Sequence, residues 1–115
     1  MSQDQIRAEK VLNFPNNVNY KAKMSVDVCM SIESALGQGL MQIATKLSDA
    51  GITLHEVITI ITLAIRGGGN DVKESDVKNI INNQIGIAEG YKICGELLTL
   101  SLSTGDKLDQ KKSEV

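Results

Sequence analysis

One segment constrains the fold more than any other. Thr53 to Gly69 reads TLHEVITIITLAIRGGG. Its start predicts a capping box. The Thr53 hydroxyl can accept the Glu56 amide, and the Glu56 carboxylate can accept the Thr53 amide. Ile52 and Val57 are spaced for a hydrophobic staple across that start. Ile58, Ile60, Ile61, Leu63, Ala64 and Ile65 then make a helix apolar around most of its circumference. Such a helix belongs at the centre of a core. Arg66 stands at its C-terminal end, where a cation is favourable. Gly67, Gly68 and Gly69 stop it. One glycine suffices for a left-handed stop. The other two imply a tight, bare turn or a place where another backbone comes close.

The rest of the chain must cover that helix. Residues 8–24 alternate. Val18, Tyr20, Ala22 and Met24 share one parity, and Asn19, Lys21 and Lys23 the other, which predicts a half-buried strand. Lys10 to Phe14 reads as its partner, with Leu12 and Phe14 on one face. Pro15-Asn16-Asn17 supplies the hairpin turn, since Pro fixes φ and Asn tolerates left-handed conformations. From Ser25 the period becomes 3.6. Ser25 is an N-cap candidate, and Asp27 suits the first turn. Val28, Cys29, Ile32, Ala35 and Leu36 form a stripe that Gly37-Gln38-Gly39 interrupts. A second helix carries Leu40, Ile43, Ala44 and Leu47, with Gly51 as its left-handed cap. After the central helix, Asn70 to Glu74 is a polar loop. Ser75 or Asp76 starts a fourth helix with Val77, Ile80, Ile81 and Ile85 inward. Gly86 separates it from a last helix, Ile87 to Ser103, burying Tyr91, Cys94, Leu97, Leu98 and Leu102. Gly90 and Gly95 on that helix either permit close helix contact or simply weaken it. The expected fold is α+β, mainly α: a short N-terminal hairpin followed by about five packed helices. One domain spans 8–104, between flexible tails at 1–7 and 105–115.

Composition removes several functions. The chain of 115 residues has one Phe, two Tyr and no Trp, so a platform of rings for stacking on bases is missing. The net charge of −2 builds no positive field for nucleic acid or an anionic membrane. The greasiest stretch, Val57 to Ile65, is less than half the roughly 20 residues that cross a bilayer. No secretory leader is apparent, and a cytoplasmic protein is expected. Cys29 and Cys94 each sit among apolar residues and read as reduced core thiols.

Chemistry finds little support. His55, the only histidine, lies in the first helical turn away from the apolar stripe and is expected at the surface. The glycine run lacks the G-x-x-x-x-G-K-[ST] spacing and follows a helix, whereas a phosphate loop opens one. Asn70, Asp71, Glu74 and Asp76 miss the register of a calcium loop and read as a solvated loop. Met24, Met30 and Met41 are expected in the core rather than on an adaptable binding surface. No catalytic, cofactor or metal site is expected, and the chain does not read as an enzyme.

The order of elements, the stretch Ser31-Ile32-Glu33-Ser34-Ala35-Leu36-Gly37, and above all Leu63-Ala64-Ile65-Arg66-Gly67-Gly68-Gly69-Asn70 followed by Ser75-Asp76-Val77, resemble the phage-like tail protein family first described in gene transfer agents. The resemblance covers about residues 8–105. Asn70 departs from it, because members often carry His after the glycines. The resemblance implies a role in building a phage-type tail, in the bacterial cytoplasm and in phage-like particles. The family carries both a tail-tube and a tail assembly chaperone label. A chaperone would shield apolar segments of the tape-measure protein until tube subunits replace it, and the partner would be that protein or the tube subunit. A tube component, or a small helical adaptor, is the alternative. Self-association stays open. The protein-binding or structural signature is expected at Arg66, Gly67, Gly68, Gly69 and Asn70, with exposed aliphatics of the central helix. A helix-turn-helix reading of Leu40–Gly51–Thr53 fails, because the second helix has no Lys and no Arg before Arg66 and cannot read a groove.

Overall fold

A computed structural model describes residues 8–113. The expected tail at 1–7 lies outside the described residues. The chain runs through β1 (Glu9–Phe14), β2 (Val18–Lys23), α1 (Val26–Leu36), α2 (Leu40–Ser48), α3 (Leu54–Gly67), α4 (Glu74–Ile80) and α5 (Ile87–Ser113). A π-helical turn, Ile81–Ile85, extends α4. The architecture is α+β and mainly helical, as the change of period predicts.

The hairpin is antiparallel, with Glu9 opposite Lys23 and Phe14 opposite Val18. Asn16 and Asn17 take left-handed φ values of 66° and 60° in its turn. Asn tolerates this conformation because its short polar side chain bonds locally. Leu12, Phe14, Ala22 and Met24 face inward and are buried. Phe14 and Tyr20 meet edge to face at 6.1 Å.

The α3 helix is the hub. β2, α1, α4 and α5 all pack on it. Val57, Ile58, Ile60, Ile61, Ala64 and Ile65 are buried around its circumference. Its two buried hydroxyls are satisfied: Thr62 donates to the Ile58 carbonyl at 2.7 Å, and Thr59 to the Glu74 carboxylate at 3.4 Å. The capping box is present, with Glu56 N–H to Thr53 Oγ1 at 3.1 Å and Thr53 N–H to Glu56 Oε1 at 2.8 Å. On α5, Ile93, Cys94, Leu97 and Leu98 cover α3, while Tyr91 and Leu102 are only half-buried. Gly90 lets the Ile81 side chain approach; a Cβ there would lie 3.1 Å from Ile81 Cδ1.

Several boundaries differ from expectation. Ala50 (φ 60°), not Gly51, is the left-handed residue after α2. The Gly51 N–H closes the turn by donating to the Lys46 carbonyl at 2.7 Å. Ala35 is exposed rather than part of the α1 stripe. The α4 helix begins at Glu74, and the Asp76 carboxylate accepts the Lys73 N–H at 2.8 Å. The last helix continues past Ser103 to Ser113, so helix occupies most of the segment expected as a second tail.

Candidate functional site

The α3 stop is a junction with the hairpin. Gly67 ends the helix, Gly68 follows it, and Gly69 takes φ 99°, which side chains with a Cβ rarely adopt. Gly69 therefore accounts for the turn. The other two glycines have a different cause. A Cβ on Gly68 would collide with the Lys21 carbonyl, 2.6 Å from its carbon, and come within 3.3 Å of the Ala22 nitrogen. A Cβ on Gly67 would strike the Val28 side chain and sit 3.2 Å from the Lys23 carbonyl oxygen. Of the two explanations for the surplus glycines, close approach of another backbone is what occurs, and that backbone is β2.

The strand pairing makes this approach specific. The Met24 N–H donates to the Ala8 carbonyl at 2.7 Å. In an antiparallel ladder, bonded pairs alternate. The pairs of even-numbered residues are therefore the bonded ones, and the N–H and C=O groups of Asn19, Lys21 and Lys23 point to the outer edge of β2. That edge is where Gly67 and Gly68 lie. Asn70 completes the junction: its side-chain amide donates to the Lys21 carbonyl at 2.9 Å and to the Ile65 carbonyl at 3.1 Å. Arg66 is exposed, and its Nε donates to the Val72 carbonyl at 2.7 Å. Val72 is buried, so Arg66 fixes the course of the loop into α4. The structure thus brings Gly67, Gly68 and Asn70 together against β2, while Arg66 turns to the opposite, loop side.

A second polar site is an ion pair between buried Glu56 and partly exposed Lys46. Glu56 is 7% exposed. Its Oε2 accepts Lys46 Nζ at 2.5 Å and Gln38 Nε2 at 2.7 Å, and Lys46 also donates to Gln38 Oε1 at 2.9 Å. Burial pushes the Glu56 carboxyl up. The bonds from Lys46, the Thr53 amide and Gln38, with the Lys46 charge, outweigh it and bring the carboxyl down to about 2. The cluster joins the Gly37–Gly39 corner and α2 to the start of α3. The Cys94 thiol is pushed up to about 12, by burial first and by the Glu56 charge second. Cys29 is half-buried and raised as well, chiefly by burial. Both thiols are free. Sequence reasoning gave Glu56 its capping role and missed the Lys46 partner, whose pairing depends on the angle between α2 and α3.

The exposed apolar side chains lie elsewhere than expected. The central helix offers none that is fully exposed; Leu54 and Leu63 are half-buried. Val26 (75%) and Met30 (58%) instead form one exposed ridge on α1, and Met41 (66%) stands out on α2. The core expectation holds for Met24 and fails for Met30 and Met41. The available signal was spacing: Val26 and Met30 are four residues apart and off the Val28–Ile32 stripe. His55 is exposed, as expected, on the rim of a groove of about 650 Å³ floored by Leu54, Ile58, Ile81 and Ile87. Among the described residues no His, Cys, Asp and Glu group could hold a metal ion. No described helix is long and apolar enough to cross a membrane.

The comparisons with known proteins fit this geometry. Neither a curated protein nor a solved structure matches the chain. A family model does, over residues 7–104, which takes in the hairpin, the glycine junction, the first four helices and the larger part of α5. That family is described as phage tail tube protein, GTA-gp10, and the chain belongs to it.

Proposed function

We propose that this phage tail family protein acts as a tail assembly chaperone, through protein–protein contact and without catalysis. The observation that carries the reading is the shape of its β-structure. Among the described residues the sheet has two strands, and the glycine junction occupies the outer edge of one of them. A tube ring built by strand pairing needs two open edges on each subunit, so that each pairs with a neighbour on either side. A chaperone needs an adaptable apolar surface instead. Exposed Met30 and Met41, with Val26, suit one, because methionine repacks against irregular partners. The partner class is an apolar segment of another tail protein, the tape-measure protein in the first instance.

The family description as a tube protein favours the alternative of a particle component. Quantitative mass spectrometry of purified tails separates the two. A chaperone is present in assembling cells, co-purifies with the tape-measure protein and is depleted from finished tails. Stoichiometric recovery in finished tails would overturn the proposal.

A further inference from the structure

We infer that α2 is a hinged flap, which swings off the core as one unit about Gly39 and Gly51 while the rest of the domain stays folded. Its backbone bonds are closed on themselves. The α1 helix is capped by Gly37, whose N–H donates to the Glu33 carbonyl at 2.8 Å. The α2 helix starts with the Ile43 N–H on the Gly39 carbonyl at 3.0 Å and ends with the Gly51 N–H on the Lys46 carbonyl. The α3 helix carries its own capping box. Among the described residues no backbone hydrogen bond joins α2 to another element. Swinging it out therefore breaks no backbone pairing. The Leu40 N–H loses the Glu33 carboxylate, at 2.8 Å, and meets water instead. A glycine stands at each pivot, where backbone rotation is least hindered.

The attachment of α2 to the core is thin. It fully buries one side chain, Ile43, where α1 buries Val28 and Ile32 and α4 buries Val77 and Ile80. Leu40 and Leu47 are half-buried, and Leu47 rests on α5 at Gly95, where a Cβ would lie 3.4 Å from its Cδ2. The polar hold is Lys46, whose Nζ donates to Glu56 Oε2 and Gln38 Oε1. Gln38 precedes the pivot and stays behind. When Lys46 swings away, Glu56 keeps Gln38 and the Thr53 amide, and water takes the place of the ammonium. Polar groups exchange partners with water at a small net cost, so opening is resisted chiefly by Ile43 and by the ion pair. Opening adds Leu40, Ile43 and Leu47 to the apolar surface that Met41 already offers. The flap stands whether the protein is a chaperone or a tube component.

Native-state hydrogen exchange on the full chain tests the flap. In the parent, the amides of residues 44–48 exchange together, at least about tenfold faster than the slowest amides of α3. Lys46→Met removes an attachment that the open and the unfolded chain have both already lost. It therefore speeds α2 and α3 exchange by the same factor, about a hundredfold. Ile43→Val does the same by about a few-fold, and serves if Lys46→Met fails to fold. Val72→Ala acts differently. Val72 is buried beside Arg66 at the other end of α3, about 15 Å along the helix from Glu56. It stays packed when the flap opens, so α3 exchange quickens about tenfold while α2 exchange does not change. Equal acceleration of α2 and α3 by Val72→Ala overturns the inference, because α2 then leaves only on global unfolding. So do α2 amides as slow as those of α3 in the parent. Unequal, residue-by-residue exchange along α2 that neither Lys46→Met nor Ile43→Val alters is fraying, and overturns it too.

Discussion

The glycine junction makes an ordered prediction across three adjacent residues. Gly68→Ala inserts a methyl group where the Lys21 carbonyl stands. Overpacking typically costs about 1–3 kcal/mol, and the obstacle here is backbone, which has no rotamer to escape into. Separating α3 from β2 also breaks the Asn70–Lys21 bond, worth about 1 kcal/mol. Alanine lowers the entropy of the unfolded chain, which returns about 0.4–1 kcal/mol. The net expectation is a loss of about 2–3 kcal/mol, and a fall in Tm of about 8–20 °C for a domain of this size. Gly69→Ala meets no neighbour and suffers through φ, by about 1–2 kcal/mol. Gly67→Ala falls between, because the Val28 side chain can shift but the Lys23 carbonyl cannot. Asn70→Ala costs about 1 kcal/mol. Urea denaturation of the four variants gives the order directly. If Gly68→Ala unfolds within about 0.5 kcal/mol of the parent, or if Asn70→Ala costs as much as Gly68→Ala, the close-approach argument is wrong.

Glu56 titrates well below the ordinary carboxylate range when folded, so its contribution is present above about pH 4.5 and disappears as pH falls toward about 2. Glu56→Gln should therefore be less stable than the parent at pH 6 and should flatten the acid limb of a stability–pH profile; an unaltered limb would remove Glu56 from the account. Lys46→Met strands a buried carboxylate and should cost about 3 kcal/mol at neutral pH, measured by denaturation. In the folded protein a disulfide reagent should modify Cys29 slowly and Cys94 only on unfolding, since burial pushes the Cys94 thiol to about 12; fast, equal labelling of both would contradict this. Met30→Lys and Met41→Lys should leave the melt unchanged yet weaken capture of a tail partner, and full retention of capture would dissociate the ridge from binding.

Local rules carried the sequence reading a long way. The capping box and the staple lie within one helical turn, so Thr53, Glu56, Ile52 and Val57 announce themselves by spacing. The Asn16-Asn17 turn is equally local. What could not be read depends on how elements meet. That Gly67 and Gly68 are needed was legible; that β2 is the backbone they admit was not, because nothing near Lys21 marks it. Lys46 and Glu56 are ten residues apart, on different helices. Met30 and Met41 look like core residues until the orientation of α1 and α2 is known. The functional signature follows the same division. Its glycines are explained by packing, and the exposed apolar side chains of the first two helices, Val26, Met30 and Met41, lie outside it.

The Asn70–Lys21 bond spans 49 residues, and this has a consequence for synthesis on the ribosome. A hairpin can close within about 1–10 μs of emerging. A two-stranded hairpin is marginal in isolation, and the docking surface for this one is the far end of α3. At about 5–20 residues per second, several seconds pass between the emergence of Lys21 and that of Asn70. Throughout that interval the β2 edge lacks its glycine partners. The glycines close the β2 edge only when they arrive, so the hairpin gains its docking partner last of all.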